Sequence, residues 1–168
     1  MLLLFVSSHG VTAFPKEHRI PVAGTYELRT SGGENLKLQG VVWFESMNEP
    51  GENGQTYSVL KLQLDGLDIH SPHSMGFFVA RQLKKEPLGT GTYEFNKDID
   101  GFLAHFEGVF GFASINALGE QPYFARKGKL TIEHMGKDVL SGTLAVTMEN
   151  TRGETLSVGG EFNATNKD

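Results

Sequence analysis

Apolar and polar residues alternate along most of this chain. Leu36, Leu38, Gly40, Val42 and Phe44 fall on one side, and Lys37, Gln39 and Glu45 on the other. That is the signature of a half-buried β-strand, whose successive side chains point to opposite sheet faces. The same period sets Leu60, Leu62 and Leu64 against Lys61 and Gln63. It sets Leu140, Leu144, Val146 and Met148 against Ser141, Thr143 and Thr147, and Leu156, Val158 and Phe162 against Thr155, Ser157 and Glu161. Phe102, Ala104, Phe106, Phe110 and Phe112 read as one aromatic row facing the core, with His105 and Glu107 opposite. Residues 75–83 hold the unbroken apolar run Phe77, Phe78, Val79 and Ala80. Such a run fits a strand buried on both faces or a short helix. Pro72 and Pro87 on either side favour strand.

Turn chemistry separates these runs. Residues 31–35, 134–138 and 149–153 are hairpin-sized and rich in Gly, Asn, Asp and Ser, whereas 48–55 form a longer polar loop. Hairpin-length connections join antiparallel neighbours. No window of normal helix length keeps a 3.6-residue period. The pattern therefore predicts an all-β, antiparallel fold of about eight to nine strands. A β-sandwich is the first expectation and a closed eight-stranded β-barrel the alternative. Both hide the inward rows and deal with exposed sheet edges.

An internal echo runs at an offset of 67 to 68 residues. Gly24-Thr25-Tyr26-Glu27-Leu28 returns as Gly91-Thr92-Tyr93-Glu94-Phe95, and Gly40-Val41-Val42-Trp43-Phe44 as Gly108-Val109-Phe110-Gly111-Phe112. It divides residues 14–168, read as a single domain, into related halves at 21–87 and 88–162. Chance matching of alternating sequences with Gly turns is the other explanation.

At 168 residues the chain can build its own core without covalent staples. It has no cysteine, which excludes disulfides, thiolate-bound zinc and Cys nucleophiles. Net charge is -5, and the 15 Lys and Arg are scattered, so no clustered positive face awaits nucleic acid. The opening apolar run, Met1 to Val6, is too short for a transmembrane span. Val11 and Ala13 are small residues at the −3 and −1 positions of a cleavage after Ala13. Residues 1–13 thus read as an export signal, with an edge strand over 2–7 as the alternative.

The sharpest chemical motif is Asn96-Lys97-Asp98-Ile99-Asp100-Gly101. Asn96, Asp98 and Asp100 stand at positions one, three and five of a calcium loop, Gly101 at the sharp turn, Leu103 at position eight and Glu107 at position twelve. Asn replaces the usual Asp at position one, and strands stand where the motif expects helices. A polar hairpin turn explains the same residues without an ion. No cofactor other than calcium is expected. Asp68, His70 and His73 form a second metal-like cluster, but Pro72 makes the segment a loop, and surface histidines are the plainer reading. No nucleophile elbow, phosphate loop or dinucleotide fingerprint occurs. Trp43 and Tyr57, near the polar loop, are candidates for stacking on a ligand, or else a cross-strand aromatic pair.

Two resemblances follow from particular residues. Gly128-Lys129-Leu130-Thr131-Ile132, then 140–146, 153–155 and 160–163, resemble the closing strands of small exported bacterial β-domains, including envelope lipoproteins of unknown function. The lipobox cysteine of those proteins is missing here, so no lipid anchor is implied. Phe106-Glu107-Gly108-Val109-Phe110-Gly111 resembles a strand motif of the allene oxide cyclase and dirigent barrel group, with no catalytic residue carried over. The leading expectation is a non-catalytic, exported or envelope-associated β-domain that binds a protein, glycan or small apolar ligand outside the cytoplasm. The alternatives are a barrel carrying a small apolar ligand, motivated by the Phe row, and a cyclase-like or hydrolytic enzyme. A cytoplasmic location is the alternative to export.

Overall fold

In the computed structural model, residues 21–51, 54–84, 87–95 and 107–167 are described. They form nine strands: β1 (Thr25–Ser31), β2 (Lys37–Pro50), β3 (Thr56–Gly66), β4 (His73–Gln82), β5 (Gly91–Phe95), β6 (Gly108–Ile115), β7 (Tyr123–Met135), β8 (Val139–Asn150) and β9 (Thr155–Asn166). A single 3-10 turn, Asn116–Leu118, lies between β6 and β7. Residues 75–83 thus belong mainly to a strand, as the flanking prolines suggested.

All nine strands share one sheet, in the order β5-β7-β6-β4-β3-β2-β1-β9-β8, and β7 also pairs with β8. That last pairing completes an antiparallel barrel of eight strands, whose closure is the short β6–β7 seam, and leaves β5 as an extra strand on β7. The sandwich expectation gives way to its alternative. Alternation cannot separate the two, because both bury one face of every strand. Glycine does part of the bending. Gly160 has φ +151, and a Cβ there would lie 2.2 Å from the Glu27 carbonyl oxygen. Gly128 has φ +127, and its Cβ would lie 2.2 Å from the Ala145 carbonyl oxygen. Such close approaches let strands coil into a closed wall.

The interior is one contiguous cluster that includes Leu28, Phe44, Leu62, Phe77, Leu130, Leu144 and Phe162. Tyr26, Phe44, Phe77 and Phe162 are among its largest fully buried side chains. Each such burial is worth roughly 1.5–3 kcal/mol before entropy is counted. The expected Phe row takes the opposite face where it is described. Inside β6 the buried positions are Val109, Gly111, Ala113 and Ile115, while Phe110 and Phe112 are half-buried on the outside. Volume explains this. A Cβ at Gly111 would lie 2.5 Å from the Phe77 ring, which already fills that part of the interior. Phe102, Ala104, Phe106 and His105 lie outside the described residues.

Local polar bonds fix two hairpins at one end of the barrel. Buried Thr30 donates its hydroxyl to Glu34 O at 2.6 Å and accepts from Leu36 N–H at 2.8 Å, shaping the β1–β2 turn. Buried Asn150 accepts the N–H groups of Arg152 and Glu154, both at 3.0 Å, and donates to the Glu154 carboxylate at 2.5 Å. The residues repeated at the 67–68 offset are not placed alike. Tyr26 and Tyr93 are both buried, but Val42 points inward and Phe110 outward.

Candidate functional site

Two features carry chemistry: a Tyr–His pair that joins the core to the half-buried start of β4, and a trough on the outer wall. Tyr26 is 2% exposed, and its hydroxyl meets His73 Nε2 at 2.5 Å. The two rings stand edge-on, with centroids 6.1 Å apart. Tyr26 pairs with Gly40, and Gly40 pairs with Gly66, so the bond reaches from β1 past β2 and β3 to the start of β4. Gly66 makes the room, because a Cβ there would lie 2.4 Å from the imidazole. Burial, and then the negative charge of Asp65, push the Tyr26 hydroxyl well above its ordinary pKa. Tyr26 is therefore a neutral phenol throughout the physiological range. It acts as a latch across the barrel end rather than as a base. Asp65 itself accepts from Gln63 at 2.9 Å and from Ser74 at 2.8 Å.

The trough follows β1 on the outside. Cross-strand register arranges it in rows, because residues directly opposite lie about 4.5–5.5 Å apart on the same face. Ser31 pairs with Ser157, and Ser157 with Thr147, giving three hydroxyls in line across β1, β9 and β8. In the next row Lys37 pairs with Arg29, Arg29 with Gly159, and Gly159 with Ala145. Gly159 and Ala145 bring almost no side chain, so this row sinks below its neighbours. The third row is Gln39, Glu27, Glu161 and Thr143. A groove of about 720 Å³ is lined by Ser31, Asn35, Lys37, Ala145, Thr147 and Ser157, among others. A second, of about 1060 Å³, takes in Glu27, Gln39, Gly160, Glu161, Leu67 and Val22. Both include Arg29 and Gly159, so they adjoin there.

Charge within the trough is uneven. Glu27 lies 3.2 Å from the Lys37 ammonium and accepts from Gln39 at 3.3 Å. The Arg29 guanidinium touches Glu27 only at 4.0 Å, and its side chain is 74% exposed. Arg29 thus presents most of its donor fork to solvent where the two grooves meet. At the far end Val22 and Leu67 are exposed apolar residues, 79% and 71%.

The residues singled out from sequence do not gather at one place. Asn96, Asp98 and Asp100 lie outside the described residues, and Glu107 is exposed just before β6. Among the described residues no group of three His, Asp or Glu could hold a metal. His73 turns toward Tyr26, whereas His70 is exposed in a loop where its N–H donates to the Asp68 carboxylate at 2.9 Å. Trp43 does face outward, but Lys167 lies over its ring at 4.3 Å and pairs with Glu45 at 2.9 Å. Tyr57 is buried with Val59 and Ala80, against Met47. Trp43 pairs with Gln63 and Tyr57 with Glu49, which is about 20 Å apart along the strands. They are not a cross-strand pair. The trough escaped sequence reading because four strands supply it. Its one linear sign is Gly159-Gly160, a glycine pair inside an alternating strand.

Among the described residues no helix is long and apolar enough to cross a membrane. Comparison with protein-family models, with curated proteins and with solved structures finds no match for this chain.

Proposed function

We propose that the protein is a non-catalytic binding module and that it holds its ligand on the outside of the barrel, in the trough along β1. The observation that carries this is Arg29, largely exposed at the junction of two grooves whose shared floor is Gly159. A concave surface with a few convergent polar groups is the usual form of a ligand site. The large apolar side chains Tyr26, Phe44, Phe77 and Phe162 lie inside the barrel, whereas the convergent polar groups lie on its outer wall. Tyr26, held as a neutral phenol by burial, serves as a structural latch. A ligand bound only by the folded protein raises its melting temperature. A thermal-shift screen of glycans, peptides and fatty acids should therefore find polar ligands that stabilise the native protein. Ala145 is exposed on the trough floor, so Ala145→Trp should fill the channel and cancel that shift. Stabilisation by fatty acids alone, unchanged in Ala145→Trp, would overturn the reading in favour of a carrier barrel.

A further inference from the structure

We infer that the trough takes an acidic oligosaccharide, a polyhydroxylated chain carrying carboxylate or sulfate groups; this rests on the binding-module reading above. The rows of the trough match the functional groups of such a chain. The Ser31, Ser157 and Thr147 hydroxyls can each donate and accept, as sugar hydroxyls require. Arg29 offers a planar donor fork suited to a carboxylate or sulfate, and Lys37 lies beside it. Glu27, Gln39 and Asn35 add acceptors and amide donors along the walls. The floor of Ala145, Gly159 and Gly160 leaves width for a ring rather than a narrow slot. At the far end, Leu67 and Val22 can meet the apolar C–H face of a sugar ring.

Other extended polymers fit less well. A peptide strand adds to an open sheet edge, but β1 is laddered on both sides, to β2 and to β9. A peptide helix needs a row of apolar anchors, and the floor here is glycine and alanine. Nucleic acid carries a phosphate on every residue and needs several clustered cations, whereas the channel offers Arg29 and a Lys37 already paired with Glu27, enough for an isolated acidic group.

Calorimetry of the full chain separates the sources. The probes are oligogalacturonate for carboxylate, a chondroitin sulfate oligosaccharide for sulfate, maltohexaose as a neutral chain and polyaspartate as an acidic peptide. At least one acidic sugar should bind, with maltohexaose about tenfold weaker or more, since one charge-assisted contact is worth that factor. Arg29→Ala should weaken acidic-sugar binding by about tenfold or more, on the same ground. Ala145→Trp should abolish it, and Lys84→Ala, exposed just after β4, should leave it unchanged. Circular dichroism melts of the variants check that each is folded, and the two trough variants fail independently. Equal affinity for maltohexaose, equal affinity for polyaspartate, or no binding of either acidic sugar would overturn the inference. If another ligand class binds and Ala145→Trp blocks it, the sugar is wrong but the trough stands. If the ligand found is indifferent to Ala145→Trp, the trough reading itself falls.

Discussion

The long wall of the barrel and its closure are built from the same alternating sequence but held together differently. From β8 through β9, β1, β2, β3 and β4 to β6 the strands are joined by ladders of five to eleven residue pairs. Between β6 and β7 the ladder has two rungs among the described residues, Phe112 with Phe124 and Ala113 with Tyr123. Beyond them β7 carries a register shift between Ala125 and Lys127 and takes β5 as its partner instead. Side chains do there what hydrogen bonds do elsewhere. Phe110 sits between Phe78 and Phe124, with centroids 6.2 and 6.3 Å away, and Phe77 meets Phe95 edge-on at 5.9 Å. The outer wall that carries the trough is thus continuously laddered from β8 through β9 and β1 to β2. A ligand held there meets preset rows of side chains, whereas the closure is where local opening costs least.

Breaking the wall should have the largest effect. Phe162 is 1% exposed on β9, directly behind the trough, and Phe162→Ala should cost about 3–5 kcal/mol in denaturant unfolding. Next is Gly160→Ala, where the new Cβ would collide with the Glu27 carbonyl at a φ of +151. Strain of this kind costs about 1–3 kcal/mol, and the same variant should weaken trough ligands by shifting β1 from β9. At the closure, Phe110→Ala removes an outer ring contact and should cost only about 1–2 kcal/mol. Native-state hydrogen exchange would sharpen the contrast. Amides of residues 109–111 should exchange through local opening, well before those of β9, and Phe110→Ala should speed them further.

The smallest effect belongs to the latch. Tyr26→Phe removes one hydrogen bond, worth about 1 kcal/mol at neutral pH. Its pH signature is specific. Because the folded protein holds the Tyr26 proton more tightly than the unfolded chain, the latch's stabilisation is complete below the ordinary tyrosine pKa of about 10 and declines as pH rises beyond it. Wild-type melting temperature should fall more steeply above that pH than that of Tyr26→Phe. Parallel alkaline profiles would assign the proton uptake to another group.

Most of the wall was legible from sequence, and the closure was not. Leu60, Leu62, Leu64, Leu144, Val146, Val158 and Phe162 all face inward as their period required. One face of each wall strand is buried, so a slip of one residue would expose the whole row. On β6 the inference failed because the period was read on from Phe102 and Phe106 to Phe110 and Phe112. Small Gly111 faces inward because Phe77 needs the space, a fact that belongs to the neighbouring strand. The sandwich and barrel share one alternation, so only the β7–β8 pairing separates them. The trough rows depend on register across β2, β1, β9 and β8, which no single segment encodes.

The most direct test is a heteronuclear NMR titration of the full chain with oligogalacturonate. Shifts should concentrate at Arg29, Ser31, Lys37, Ala145, Thr147, Ser157 and Gly159, with Leu62, Phe77 and the β6–β7 rungs unmoved. Shifts centred on the inward-facing residues or the closure, with Arg29 and Gly159 silent, would contradict it.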